Sequence, residues 1–457
     1  MRKKWIALAL AAALILSLGA VSALAESETQ APEAEAPVTE EETTPQSEDG
    51  ELSQEETPED AEDGITIGVT PPASPAGPDQ TLPGTGYAPD AVGSVTFKNV
   101  ERRMREGNLN ILALQESVDM LESIDYADLQ EDLRKQLNEI AKGQWYMVLM
   151  GQSGTEAYKQ MDKAYAAVRE QFDAIKDGEM QSDNADSIRQ LHHLQDQIIL
   201  SGEATYVAVA AMEIQAASLQ RQLEAANRTA EEMSLRYQLG QISALQLFQA
   251  KAGQSSLASA LETLRMNLKT YKAQLQMLLG AEMNGQLQLG AIPAVTAQQL
   301  ADMDVERDLE TSKSRSYDLY TAGQTLEDER ETYKEAGDRY AYDEKNLSFR
   351  QAKHTWQSAQ FNYNNTVQDY ERRFRSLYDQ VQDYHQIWQA SQVSLESQKL
   401  SFAASELKYQ QGTISHNALL TAQDDLSNAE EAVKQAANDL FSAYNTYCWA
   451  VQNGILN

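Results

Sequence analysis

Cysteine and long apolar runs are both scarce in this chain of 457 residues. The only cysteine, Cys448, can form no disulfide within the chain, so stability has to come from packing or assembly. Its apolar surroundings favour a buried bystander over a reactive thiol. Beyond residues 5–21, no apolar run reaches the roughly 20 residues that a membrane-spanning helix needs. The remainder of the chain is therefore not expected to be a helical membrane protein.

The single apolar run has the features of an export signal. Basic residues 2–4 precede it, and Ala23-Leu24-Ala25 matches the small-residue pattern of a signal-peptidase site. We interpret residues 1–25 as a cleaved signal peptide, with a retained anchor helix as the alternative. No cysteine lies at the junction, which argues against a lipid anchor. The sequence thus predicts an exported protein of the cell envelope.

Basic residues are absent from residues 26–97, which hold 18 acidic residues, and ten of the eleven prolines also lie before residue 98. This composition predicts a disordered, self-repelling tether over residues 26–90. Cation binding by the acidic run is the alternative to a solvated spacer. The net charge of −32 disfavours both nucleic acid and an anionic membrane surface as partners.

The rest of the chain contains an internal repeat. A shift of 172 residues aligns Leu235–Ser243 with Leu407–Ser415, and the two segments share their tyrosine, glycine, isoleucine and serine. The remaining proline, Pro293, lies between the two copies and is interpreted as their hinge. We therefore predict a first repeat over residues 91–290 and a second over residues 291–457.

Apolar residues recur at alternating steps of three and four around both shared glycines, which is typical of a coiled-coil seam. One such run extends from Val209 to Tyr237, another follows the first glycine from Leu257 to Leu278, and the second repeat keeps the spacing from Val381 to Tyr409. The predicted fold is all-α, with two long antiparallel coiled-coil helical hairpins and little or no β structure. Segments 187–239 and 346–411 allow helices of roughly 80 and 100 Å.

Glycine and serine define the turns of these hairpins. Gly240 and Gly412 suit the left-handed position just beyond a helix, and Ser243 and Ser415 suit the N-caps of the returning helices. The hairpin tips are therefore predicted at residues 240–243 and 412–415.

The tip pattern Tyr-x-x-Gly-x-Ile-Ser, present twice and followed by an Ala/Leu-rich helix, resembles that of the TolC-like outer-membrane efflux proteins. Residues 95–97 before Asn108-Leu109, and residues 315–319 in the second half, are similar to the family's repeat starts but lack its prolines. The resemblance covers about residues 95–457. It implies a homotrimer that forms an α-helical tunnel and works in efflux with a periplasmic adaptor and an inner-membrane transporter.

The resemblance also implies roles for particular positions. Family tips dock the adaptor, so the docking candidates are Leu239, Gly240, Gln241, Ser243, Gln411, Gly412, Thr413 and Ser415. The alternative interpretation is that these are only turn residues. The tunnel-entrance positions, where family members carry aspartates, are Gln246, Gln249, Ala418 and Thr421. Asp424 and Asp425, about one turn further, are candidates to replace those carboxylates.

Between their long helices, family members also insert a pair of membrane strands. The corresponding segments here, residues 177–187 and 337–346, are too short and too polar for such strands. We therefore expect a relative that is reduced to its helices, with an outer-membrane location implied by the resemblance alone.

Signatures of catalysis are missing from the sequence. It contains no phosphate-binding loop, nucleophile elbow or zinc motif, and the adjacent His192 and His193 would point about 100° apart on a helix. Neither an enzyme nor a cofactor or metal site is expected. The predicted function is that of an efflux duct component, and the alternative is a non-conducting coiled-coil scaffold or adaptor-like protein of the envelope.

Overall fold

A computed structural model describes residues 90–456. The predicted signal peptide and all of the predicted tether except Asp90 lie outside the described residues. Within this range the chain forms two short strands and eleven helices, in the order β1 Ser94–Val95, α1 Phe97–Gly107, α2 Leu109–Glu122, α3 Tyr126–Leu149, α4 Glu156–Lys176, α5 Glu179–Gln238, α6 Ala244–Leu278, β2 Gln288–Leu289, α7 Ala297–Ala301, α8 Val305–Arg315, α9 Tyr317–Tyr340, α10 Leu347–Gln410 and α11 His416–Asn453.

Two long helical hairpins, α5–α6 and α10–α11, dominate this part of the chain and confirm the predicted fold class. Helix α5 has 60 residues and α10 has 64, so each is about 90 to 100 Å long. The predicted seams face inward: Val209, Leu261, Leu275 and Val381 are all buried. Packing along these seams explains why such long helices are stable, because propensity alone contributes little.

The two hairpins lie side by side through α5 and α11, which leaves α6 and α10 on the outside. Asn453 donates to Asp196 at one end of this contact (2.8 Å), and Asn417 donates to Glu232 at the other (3.1 Å). Between these two contacts the residue numbers rise along α5, from 196 to 232, and fall along α11, from 453 to 417, so the two helices are antiparallel. Both hairpin tips therefore lie at the same end.

The start of each repeat packs against the other end of the long helices. Strand β1 pairs in parallel with β2, joining the beginning of the first repeat to the linker between the repeats. The Tyr206 hydroxyl of α5 donates to the carbonyl of Gly290, the residue that follows β2 (2.8 Å). Phe97 packs edge-on against both Tyr206 and Phe441 of α11, and so connects the two repeats.

Two parts of the structure differ from the predictions. Helix α5 begins at Glu179, eight residues before the predicted start at residue 187, so most of segment 177–187 is helical. In segment 337–346, α9 continues to Tyr340 and the left-handed residues Ala341 and Tyr342 turn the chain into α10. Helices α3 and α4 form an additional, shorter hairpin that leads directly into α5, and the sequence did not predict it.

Candidate docking tips and the surfaces around them

The two hairpin tips have the same backbone geometry. Gly240 and Gly412 both have φ of +70°, as predicted for residues that end a helix in the left-handed conformation. In the first tip, the Gly240 N–H donates to the Tyr237 carbonyl (2.9 Å) and the Gln241 N–H donates to the Arg236 carbonyl (2.9 Å). The second tip repeats these two bonds at the same distances, with Gly412 and Thr413 as donors to Tyr409 and Lys408. This pair of bonds is the Schellman motif, which fixes the path of the turn.

The returning helices begin at the predicted serines. The Ser243 hydroxyl accepts from the Gln246 N–H (3.3 Å), and the Gln246 side chain accepts from the Ser243 N–H (2.9 Å). Ser415 caps α11 by accepting from the Ala418 N–H (3.2 Å). Alanine cannot return the second bond, so only the first tip has a complete capping box.

Docking through these tips would involve an uncharged and exposed surface. Every predicted docking residue is exposed, while Ile242 and Ile414 are half-buried beneath the turns. A Cβ at Gly240 or Gly412 would meet nothing within 4 Å. Residues 237–250 and 409–423 contain no Asp, Glu, Lys or Arg, in a chain in which 23% of residues are charged. Burying such a surface against a partner avoids the cost of desolvating charges.

The predicted tunnel-entrance positions are all exposed on the first turns of the returning helices: Gln246, Gln249, Ala418 and Thr421. The side chain of Gln246 takes part in the capping box, and the Thr421 hydroxyl donates to the Asn417 carbonyl (3.0 Å). These two side chains are thus partly occupied by local backbone bonds.

Just behind the tips, charged pairs join the two hairpins. Asp424, proposed above as a replacement carboxylate, forms an ion pair with Arg228 of α5, whereas Asp425 is exposed. Arg221 pairs in the same way with Glu431, two turns further along. The sequence interpretation missed both arginines. Their signal is a matched spacing of seven residues, 221 and 228 on one helix against 424 and 431 on the other, which is typical of interhelical ion pairs in coiled coils.

The outer helices carry apolar side chains that remain more than half exposed within the described residues. On α10, Val393, Leu400 and Leu407 repeat every seven residues and are 72%, 75% and 55% exposed. We call these three residues the outer stripe. Leu245 and Phe248 on α6 are exposed at the opposite edge of the four long helices. A regular apolar stripe on one edge and exposed apolar side chains on the other are typical of helices that pack against further helices.

Other candidate chemistry is sparse within residues 90–456. No group of three or more His, Cys, Asp and Glu side chains in this range could hold a metal ion. Burial raises the pKa of the half-buried Cys448 thiol, which keeps it in the unreactive protonated form, as the bystander interpretation predicts. No helix in the described range is long and apolar enough to cross a membrane.

No protein-family model and no curated protein matches this chain. Among solved structures, it is similar to the outer membrane protein VceC from Vibrio cholerae, with 13% identity, a TM-score of 0.46, and coverage of 78% of this chain and 96% of VceC. The outer-membrane channel OprN matches with 13% identity, a TM-score of 0.43, and coverage of 79% and 90%. The Campylobacter jejuni CmeC outer membrane channel matches with 16% identity, a TM-score of 0.39, and coverage of 64% and 68%.

These likenesses concern the general arrangement of helices and no particular residue.

Proposed function

We propose that this protein is a TolC-like efflux duct component, in which several copies assemble into an α-helical tunnel. The observation that carries this proposal is that one chain forms a single layer of long helices with apolar residues exposed on both outer helices. Four long helices lie side by side with both tips at one end, and apolar residues remain exposed at both edges. Such a layer can bury its edges only against neighbouring copies, and a closed ring of copies leaves no edge exposed.

Self-association would place the outer stripe of one copy against α6 of the next. Leucine and valine at seven-residue intervals form knobs for the holes of a facing helix, as in a coiled coil. A homotrimer is the assembly that the sequence resemblance implies, with export to the cell envelope by the predicted signal peptide.

The tips would receive the partner. Their exposed, uncharged and matched surfaces suit an adaptor-type protein with its own hairpins, which in turn would connect the duct to an inner-membrane transporter. The antiparallel contact of α5 and α11 brings both tips to one end, which supports a shared role for the predicted docking residues.

Charges in the outer stripe test the assembly. We expect Val393→Glu, Leu400→Glu and Leu407→Glu together to give monomers, because burying three carboxylates in an apolar contact is costly. The matched control adds the same charges at neighbouring exposed polar positions, with Ser394→Glu, Ser401→Glu and Gln410→Glu, and should keep the mass of the unmodified protein. Light scattering after size exclusion measures the mass. A monomeric unmodified protein, or an assembly that survives the stripe variant, would contradict the proposal.

Replacing the two tip glycines by a larger, charged residue tests whether the tips bind the adaptor. Gly240→Glu combined with Gly412→Glu should abolish co-purification of the adaptor from the native host, while circular dichroism shows unchanged helical content. Gly253→Glu is the control, since Gly253 is also exposed with open space around it but lies within α6. Equal co-purification by the tip variant and the control would remove the tips from the docking surface.

A further inference from the structure

The end of the α3–α4 hairpin carries the most concentrated exposed apolar surface in residues 90–456. Residues 145–150 read Trp-Tyr-Met-Val-Leu-Met, and Trp145, Leu149 and Met150 are 64%, 69% and 74% exposed. We call residues 145–150 the apolar end. Helix α4, with 21 residues or about 30 Å, separates it from the start of α5. That start lies about 90 Å along α5 from the Gly240 tip, so the apolar end is a different surface from the proposed docking site.

The apolar end is held in a defined conformation. Gly151 ends α3 with φ of +72°, and the Gly151 and Gln152 N–H groups donate to the Val148 and Met147 carbonyls at 3.0 and 2.8 Å. Thr155 then caps α4, where its hydroxyl accepts from the Tyr158 N–H (3.3 Å). Further back, Leu133 and Ile175 are buried in the described structure. The exposed side chains are thus presented by a hydrogen-bonded turn.

The distribution of these side chains indicates the kind of partner. Six consecutive residues, at about 100° each, cover every face of the helix end. A protein partner would contact one face and leave the others in water, whereas a medium that surrounds the helix end would cover them all. A helix that is apolar on all sides is typical of burial in a core or a membrane, and within the described residues the element that packs along α3 is α4, the other half of the hairpin.

Composition and charge favour a lipid surface as that medium. Tryptophan and tyrosine are enriched where membrane meets water, because their rings are apolar at one end and polar at the other. Residues 143–155 contain no charged side chain. The flanking segment up to residue 163 places Lys142, Lys159 and Lys163 against only Glu156 and Asp162, in a chain with a net charge of −32.

We propose that the α3–α4 hairpin inserts its apolar end into the surface of a lipid bilayer. The six residues extend about 9 Å along the helix axis, which matches the roughly 5 to 10 Å depth of interfacial insertion and is far short of a span. Lys142, Lys159 and Lys163 then lie at the level of the headgroups. This attachment is independent of the proposed tunnel, since a single chain contains all of its parts.

Flotation with phosphatidylcholine vesicles, with and without added phosphatidylglycerol, tests the proposal on the protein lacking residues 1–25. The unmodified protein should float with the vesicles, and more strongly with the anionic lipid. The combined change Trp145→Ser, Leu149→Ser and Met150→Ser should lower vesicle partitioning about a hundredfold. The control replaces equally exposed apolar residues elsewhere, with Met120→Ser, Met283→Ser and Phe361→Ser, and should leave partitioning unchanged.

Fluorescence locates the contact. Brominated lipid should quench part of the tryptophan emission of the unmodified protein, and Trp145→Phe should remove that part while vesicle binding persists, because phenylalanine is also apolar. The proposal is overturned if the unmodified protein does not float, or if the serine variant floats like the control. It is also overturned if the serine change leaves vesicle binding intact but lowers the mass of the assembly, since the apolar end would then join copies of the chain.

Discussion

At the scale of single residues, Glu203 is a buried carboxyl group whose environment links stability to pH. It is buried between α5 and α11, where its carboxylate accepts from the Trp449 indole N–H (2.7 Å) and from Asn445 (2.8 Å). Burial raises its pKa above the ordinary value, more than these hydrogen bonds lower it. An acid whose pKa is higher in the folded than in the unfolded state stabilises the fold below the unfolded pKa and loses that contribution as the pH rises through the folded pKa.

Glu203→Gln should therefore stabilise the protein at pH 8, because the amide oxygen can still accept both bonds and no charge is buried. The advantage should shrink as the pH is lowered towards about 4, near the ordinary value for glutamate. Thermal unfolding followed by circular dichroism at several pH values measures it. Glu231→Gln, at an exposed position of the same helix, is the control without this dependence. A variant that is less stable than the unmodified protein at pH 8 would contradict this account of Glu203.

At the scale of the elements, both repeats end in the same contact. Helix α6 is followed by Gly280 and α11 by Gly454, both with positive φ. A Cβ at Gly280 would clash with Gly107, where α1 gives way to α2, and one at Gly454 would clash with Ser316, between α8 and α9. Asn108, which lies between α1 and α2, donates its side-chain amide to the Leu278 carbonyl near the end of α6 (2.9 Å). The end of each returning helix is thus fastened to the start of its own repeat.

Gly280→Ala should destabilise the fold by about 3 kcal/mol or more, from a left-handed alanine plus overpacking against backbone. Gly240→Ala, with nearly the same φ but open space, should cost only about 1 kcal/mol. Urea unfolding of the two variants compares them. Equal losses would show that the backbone conformation alone matters and that the contact with Gly107 does not.

The elements also show what local sequence can predict. The seams and the tips depend on spacing and on helix-end chemistry within a few residues, so Val209, Gly240 and Ser243 were predictable. The α3–α4 hairpin was not, because residues 126–176 have no counterpart in the second repeat and a shift of 172 residues does not reveal them. The pairing of Arg221 with Glu431 required knowing that α5 lies against α11, which follows from tertiary packing rather than from either helix.

At the scale of the whole molecule, the two hairpins form a layer with one uncharged end and two apolar edges, in a chain whose net charge is −32. A net charge of this size opposes non-specific aggregation, whereas exposed apolar edges are typical of interaction sites. The four predicted entrance positions remain a prediction about the assembled state, because a single chain cannot show which exposed residues face a lumen.

The central claim is that copies of this chain close into a hollow ring. Native mass spectrometry of the protein lacking residues 1–25, combined with negative-stain imaging of the same sample, tests it most directly. We predict a trimer with a visible central lumen along the long helices. A monomer, or a solid dimeric rod as expected of a non-conducting scaffold, would contradict it.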